Sequence, residues 1–540
     1  MPPSRLRPLS LAALAACSSA GGLEPVVDPF TDPTAIETRL RRTLDELAAF
    51  GEKRAGTTAG QQAGDYIAAR FEAAGLQDVR FESFAFLGFE LQSSSLTVSA
   101  DGTELPMAHD VFAYSGVGEV TAEIVDVGVG HEGDYAGKDV TGKVVLVTRD
   151  AGFHRSSQYR LVTEHGGVAM LYISTSPDNL IQVGTVADPE DGLGPLPVIT
   201  VGADDGATIV AALEDGQTVT ATLNVQASVA PATGRNVIGR RPGTASQGEY
   251  LLFGAHYDTW HAGAADNITG VATVIELAEA LAARDPGRHD LVFVAYDAEE
   301  LGLFGGYDYL RDRVIVAGEP MLGFLNFEMP AAGESGLRAL AYTADGPVEP
   351  AIDEADMRAL YTFSVGMEVV PAMFGGIIPA DIQGLYWTGA QGFTTACDAP
   401  YYHTPEDTPD RIDVPFLARA VLGFHKTVAL LHQAEPESFA VRDPNLWQLE
   451  VTTATDAGDL TVDIVVTDAG GTPQPQAQVT AWLDVDDFVR THRAELTTDG
   501  AGTTSTVIPA SALTQGSGSR WLHVTAGKDY PLAERIVPVD

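Results

Sequence analysis

Residues 254–270 read GAHYDTWHAGAADNITG, and the rest of the chain is best read outward from them. An apolar run, Tyr250 to Ala255, ends in His256 and Asp258, and Asp266 follows ten positions after the histidine. Glycines and alanines fill much of the space between, so the backbone can come close to a bound group. A buried strand that delivers His and carboxylates at its end is what an α/β sheet presents where its strand ends hold a ligand. Nitrogen and oxygen donors together point to a cation.

The same rhythm continues on both sides. HDLVFVAYDA (289–298) and MLGFLNFEM (321–329) read as buried strands. TGVATVIELAEALAARD (269–285) predicts a helix with Val271, Val274, Ala278 and Leu281 on one face, and LGLFGGYDYLRDR (301–313) predicts another. This alternation predicts an α/β fold: a mixed, mostly parallel sheet covered by helices on both faces. Helical periodicity also runs through 34–50 and 60–75. Residues 111–230 carry short β-like runs broken by Gly, Asp and Pro, with one helical stretch near 159–167, and predict a β-rich module inserted into a domain built from 34–110 and 231–437. Leu460, Val462, Ile464 and Val466 alternate, which predicts a β-sandwich over 445–540, Ig-like or carboxypeptidase-regulatory-like. Asp484, Asp486 and Asp487 within it read as a solvated acidic loop rather than a calcium site.

The 540 residues carry a formal net charge of −42, which excludes nucleic acid and anionic lipid as partners. Arg5 and Arg7 precede a short apolar run that ends at Leu14-Ala15-Ala16-Cys17. Residues 1–17 therefore read as an export signal with a lipobox, followed by a flexible tether over 18–33. The expectation is an exported protein, a bacterial cell-envelope lipoprotein held to the membrane only through lipid on Cys17, or else a secreted or periplasmic one. No later segment reads as long and apolar enough to cross a membrane. Cys397 is the only other cysteine, so a lipidated Cys17 leaves no intramolecular disulfide. Two cysteines cannot form a thiolate metal site, and any metal must be held by His and carboxylates.

Further strand ends supply such groups. YDAEELG gives Glu299 and Glu300, NFEMP gives Glu328, and YYHTPEDTPDRID (401–413) gives His403. Singly, each has an ordinary reading: a satisfied polar residue, or acids that favour a helix start. Glu328 lies between Phe327 and Met329 and needs a partner. Two His and three carboxylates suit two zinc ions if one carboxylate bridges them. An adjacent glutamate that is not a ligand is then free to take a proton from water.

In order and spacing, the set HxD, ADN, EE, a single acid, then YHT followed by DxxD resembles the secreted di-zinc aminopeptidase family of clan MH. That clan also holds glutamate carboxypeptidase and the transferrin receptor. The resemblance spans 35 to 435, and the insert resembles the protease-associated domain found within such enzymes. It implies two zinc ions and a peptide substrate. By position, His256 and Glu328 serve one zinc, Glu300 and His403 the other, and Asp266 bridges both. Glu299 acts as general base, Tyr402 stabilises the oxyanion, and Asp258 orients His256. The resemblance also implies a cis peptide bond between Asp266 and Asn267. Glu328 departs from the family, which usually has Asp there.

Other readings within the clan are a glutamate-type carboxypeptidase, a glutaminyl cyclase and a non-catalytic binding protein. Retention of every metal and base position argues against the last. A carboxypeptidase needs a cation for the terminal carboxylate, yet 256–270, 297–306, 326–330 and 376–404 contain no Arg or Lys. The expectation is therefore an aminopeptidase, with Arg155 and Arg160 of the insert as the cations that could alter it. Tyr386, Trp387 and Phe393 are candidates for an apolar substrate pocket, with core packing as their alternative role. The oligomeric state is left open.

Overall fold

In the computed structural model of the chain, the described residues are 30–539 apart from 187, 285–286, 334–335, 345, 375 and 441–445; the signal, its lipobox and Cys17 lie outside them. The runs Tyr250–His256 and Asp290–Tyr296 are buried along their whole length, as apolar strands must be when both faces of a sheet are covered. From one edge, the strands of the peptidase part of the sheet are Phe363–Gly366, Arg338–Tyr342, Gln391–Cys397, Met321–Asn326, Tyr250–His256, Asp290–Tyr296 and Val219–Arg241. The four from Gln391–Cys397 to Asp290–Tyr296 run parallel, so their carboxyl ends share one edge. Register sets Tyr296 beside His256 and Asn326 beside Gly254. Residues 297–300 and 327–328 therefore emerge next to the 256–266 loop. The flanking strands Val219–Arg241 and Arg338–Tyr342 are antiparallel to this group.

One face of the sheet carries the helices Pro33–Ala48, Thr58–Ala74, Thr269–Ala282 and Val414–Leu431 around a shared apolar core. The Thr269–Ala282 helix is buried almost all round, not on one face as its periodicity predicts. Its polar positions face other helices: Arg39 pairs with Glu276 at 2.5 Å and Arg70 with Glu279 at 2.6 Å. The Val414–Leu431 helix corrects the expectation that no later segment is long and apolar enough to span a membrane. By length and composition it is, but Phe416, Leu417, Val421, Phe424 and Val428 bury it in the core. Its N-terminus is capped by Asp413, whose carboxylate accepts from Phe416 N at 2.9 Å. The opposite face is covered by the short helices Phe304–Tyr309 and Gln383–Trp387, and also by Trp521 and Ile536 of the C-terminal unit.

A two-stranded antiparallel ribbon, Gln77–Ala100 with Val219–Arg241, runs out of this sheet and carries the insert. There the strands Gly118–Asp126, Val144–Thr148, Ala169–Ile173 and Val198–Val201 pair in parallel. The helices Arg155–Glu164 and Ala203–Glu214 accompany them, so the insert is layered as well as rich in strands.

The chain ends in a β-sandwich, one antiparallel sheet of three strands and one of four, closed on Val462, Ile464, Val479, Leu483, Leu522 and Val524. The acids of DVDDF are not a solvated loop. Asp484 is buried and takes Arg311 of the peptidase part at 2.7 Å, and Asp487 accepts from Ala85 N at 2.8 Å. Phe488 packs on Phe304 with ring centroids 4.7 Å apart. The sequence alone could not reveal an arginine more than 170 positions away as the partner.

Candidate metal centre

The 256–266 loop leaves the central strand with the peptide bond between Asp266 and Asn267 in the cis form. His256 Nδ1 lies 3.0 Å from the backbone oxygen of Asp258, and His403 Nδ1 lies 3.0 Å from the backbone oxygen of Val183. A carbonyl oxygen can only accept, so Nδ1 carries a proton on both rings and Nε2 is the nitrogen left to ligate a metal. These Nε2 atoms face carboxylates. His256 Nε2 is 3.1 Å from Asp266 Oδ1 and 3.3 Å from Glu328 Oε1. His403 Nε2 is 3.1 Å from Asp266 Oδ2 and 2.9 Å from Glu300 Oε2.

One carboxylate, Asp266, thus offers one oxygen to each imidazole. Donor atoms held about 2.0–2.1 Å from zinc in a tetrahedron stand roughly 3.3–3.4 Å from one another, close to these separations. Asp266 Oδ1 and Glu300 Oε1 are buried without a hydrogen-bond partner. The two triads, His256–Asp266–Glu328 and Asp266–Glu300–His403, are each compact enough to hold a metal ion and fit zinc in donor type.

The surroundings brace these side chains. The Asp258 carboxylate accepts from the backbone N–H groups of Glu299 and Glu300, both at 3.1 Å, and so locks one loop to the next. Asp407 does the same for the bridging position, accepting from Ala265 N at 2.8 Å and Asp266 N at 3.2 Å. Asn267 Nδ2 donates to Phe327 O at 2.9 Å and to Glu328 Oε2 at 3.4 Å. Lys53, fully buried, donates to Gly51 O and Ala262 O, both at 2.8 Å. Burial brings its ammonium down to about 7, against the attraction of Asp407 and Asp258. Sequence reasoning missed Lys53 because nothing in GEKRAG distinguishes it from a surface lysine; Asp407 was visible only as part of DxxD.

Electrostatics follow from packing acids around two histidines. Burial pushes the Glu299 carboxyl well above the usual range, with His256 opposing and Glu328 and Glu300 adding to it. Burial likewise raises Glu328 to about 7, while His256 pulls it down. Burial opposes charge on His403, yet Glu300 and Asp266 hold its pKa above the ordinary value. The set therefore calls for positive charge. Of the adjacent glutamates, Glu300 is buried against His403, whereas the Glu299 side chain keeps 13% exposure, its Oε2 3.9 Å from His256 Nε2. Tyr402 stacks on His403 with ring centroids 3.6 Å apart, and burial keeps its phenol protonated.

The three pocket candidates are packed inside. Tyr386 and Trp387 belong to the apolar layer on one face of the sheet, and Phe393 stacks on Phe424 at 5.7 Å in the layer on the other. Arg160 pairs with Glu164 on its own helix at 2.7 Å. Arg155 turns to the insert's backbone, donating to Thr185 O at 2.7 Å. Arg149, which the sequence reading did not single out, lies over the Tyr402 ring at 5.8 Å. Asp381 was also missed: it is buried, and neither carboxylate oxygen has a hydrogen-bond partner.

Imidazoles and carboxylates gathered at the carboxyl edge of a parallel sheet are the donor set of a metal-dependent hydrolase. Residues 236–428 match Peptidase family M28 and residues 120–209 match the PA domain. The chain thus contains a peptidase family M28 domain together with a PA domain, and is a hydrolase of the zinc aminopeptidase kind that this domain defines. Aminopeptidase YwaD of Bacillus subtilis (strain 168) is 25% identical over 404 residues, covering 70% of this chain and 81% of the relative. The protein described as "Probable lipoprotein aminopeptidase LpqL" of Mycobacterium tuberculosis is 27% identical over 363 residues, 64% and 70% of the two chains. The one described as "Probable glutamate carboxypeptidase VP8" of Zea mays is 25% identical over 57% of this chain and 53% of its own. Among solved structures, BSAP, a zinc aminopeptidase from Bacillus subtilis, superposes with a TM-score of 0.57 at 21% identity, covering 75% of this chain and 97% of that one, a likeness of fold.

Proposed function

We propose that the protein is a di-zinc aminopeptidase that removes the N-terminal residue from peptides. The observation that carries this reading is the sharing of Asp266 between the Nε2 atoms of two imidazoles, at 3.1 Å to each. His256, Asp266 and Glu328 would hold one zinc, and Asp266, Glu300 and His403 the other. When bound, zinc supplies Lewis acidity that makes water nucleophilic near neutral pH and stabilises negative charge developing on the scissile carbonyl oxygen. Glu299, partly exposed and not committed to either triad, takes the proton from the attacking water and returns it to the leaving amine. The neutral Tyr402 hydroxyl donates to the oxyanion. Asp258 fixes His256 through its backbone oxygen, and fixes Glu299 and Glu300 through its carboxylate.

Polarity of the substrate follows from charge. The loops that build the centre carry no Arg or Lys, and Asp381 adds an unpaired carboxylate that interacts with His256, Glu328 and Glu299. A free α-ammonium is the cation such a site lacks. A second reading, cleavage from the carboxyl end, is favoured by one observation, the Arg149 guanidinium over Tyr402. The deciding experiment offers free, N-acetylated and C-amidated peptides to the zinc-loaded protein. The aminopeptidase reading expects release of the first residue from free and amidated peptides and none from acetylated ones. Release of the last residue from acetylated peptides, abolished by Arg149→Ala, would move the assignment to carboxypeptidase. We further infer export and lipid anchoring at Cys17; Cys17→Ser should free the protein from membrane fractions, and unchanged association would end that idea.

A further inference from the structure

The two candidate zinc positions are braced by different parts of the molecule. Around His256 and Glu328 the supporting groups are Asp258, Asn267 and Thr395, all in the peptidase domain. Glu300 and His403 also lean on the insert. His403 and Val183 exchange two hydrogen bonds, ring Nδ1 to Val183 O at 3.0 Å and Val183 N to His403 O at 3.1 Å. The Thr185 hydroxyl donates to Glu300 O at 2.8 Å. A ligand's orientation depends on such partners, since the protonated ring nitrogen fixes where the other points.

The segment that makes these contacts is itself held from outside. Ala113 N donates to Gly184 O at 2.8 Å and Arg155 Nε to Thr185 O at 2.7 Å. Three residues beyond Thr185, the acids Asp188, Glu190 and Asp191 crowd together and would repel one another. Arg490 of the C-terminal sandwich, only 7% exposed, lies 3.3 Å, 3.5 Å and 3.4 Å from them, and Arg493 takes Asp188 at 2.9 Å. A chain of contacts thus runs from the sandwich through the insert to two ligands of a single ion.

We propose that the insert and the sandwich are parts of the second metal site, with Thr185 and Arg490 as positioning residues for Glu300 and His403. The proposal rests on the assignment of Asp266, Glu300 and His403 to one ion. It requires unequal zinc sites, one independent of the insert and one set by it. The test uses the full chain and measures stepwise zinc affinities by competition with a chromophoric chelator, alongside the absorption of cobalt bound in place of zinc and the thermal midpoints of the metal-free variants. Thr185→Val, in a chain that melts like the wild type, is expected to weaken one zinc step by about tenfold and leave the other in place. Thr185→Ser, which keeps the hydroxyl, restores it. Arg490→Gln shifts the same step in the same direction, and Arg490→Lys recovers part of the loss. Equal weakening of both steps, or no change in either with Thr185→Val, overturns the proposal, whatever Arg490→Gln does to folding. Glu300→Gln is the control: if it removes no zinc, the assignment of that triad fails, and with a different result from the one that would sink the role of Thr185.

Discussion

In the proposed di-zinc centre Asp266 would be the residue on which both ions depend, because its two oxygens face different imidazoles. Under the same proposal the adjacent glutamates would divide the remaining work. Glu300 meets His403 Nε2 at 2.9 Å, while Glu299 stays 3.9 Å from His256 and partly open. Glu299→Gln removes a proton acceptor and no ligand, so it should keep its zinc while kcat falls by roughly a hundredfold to ten-thousandfold. Glu300→Gln should lose zinc along with activity. Metal analysis beside steady-state kinetics separates the two, and the reverse pattern would exchange their roles. The adjacency of these glutamates was plain in the sequence, but the role of Asp258 was only half legible. HxD placed it beside His256, whereas its hold on the two glutamate amides needed the parallel pairing of two strands.

At the scale of elements, the start of the Thr269–Ala282 helix lies hard against the end of the Met321–Asn326 strand. A Cβ added at Gly270 would stand 2.1 Å from Phe327 O and 2.4 Å from Asn267 Oδ1. Both are backbone or tightly bonded atoms, so neither can yield easily. Gly270→Ala should destabilise the fold by roughly 1–3 kcal/mol through overpacking, read as a lower urea midpoint at unchanged slope. It should also weaken zinc binding, because Asn267 braces Glu328. Periodicity found this helix but misjudged its surroundings. Glu276 and Glu279, outside the apolar face named from the sequence, are met by Arg39 and Arg70 from helices more than 200 residues earlier.

Across the whole molecule, the sandwich is joined to the peptidase part by buried polar groups. Glu534, with Tyr307 Oη 3.2 Å away, has its carboxyl pushed up from 4.5 to about 7 by burial, against the pull of the Tyr307 bond and Arg311. The unfolded chain releases this proton near 4.5 and the folded chain near 7, so the folded state binds more protons between those values. This group's contribution to stability is therefore lost as pH rises through that window, by roughly 3 kcal/mol. Glu534→Gln should remove that portion, so the stability difference between wild type and variant narrows or reverses from pH 4 to pH 8. Urea unfolding at both pH values checks it; an identical pH dependence in the two proteins would show that Glu534 keeps an ordinary pKa. Chelation should lower the thermal midpoint as well as stop hydrolysis. Ligands that bind only the folded state stabilise it by about 2.7 kcal/mol at a hundred times Kd.

The sequence by itself determined the α/β class, the insertion and the sandwich, because doubly covered strands leave continuous apolar runs, half-buried strands alternate, and amphipathic helices repeat every 3.6 residues. It also brought forward His256, Asp266, Glu299, Glu300, Glu328 and His403, each ordinary alone, because together they fall just past strand ends that converge at one sheet edge. What it could not determine were relations between distant segments. Lys53 beneath the 262 loop, Arg311 against Asp484, Arg149 over Tyr402 and Val183 behind His403 are pairings across many tens of residues. Nothing local encodes them. Only the tertiary structure decided these, because a buried charge or a ligand's second nitrogen takes whichever partner the packed chain brings within reach.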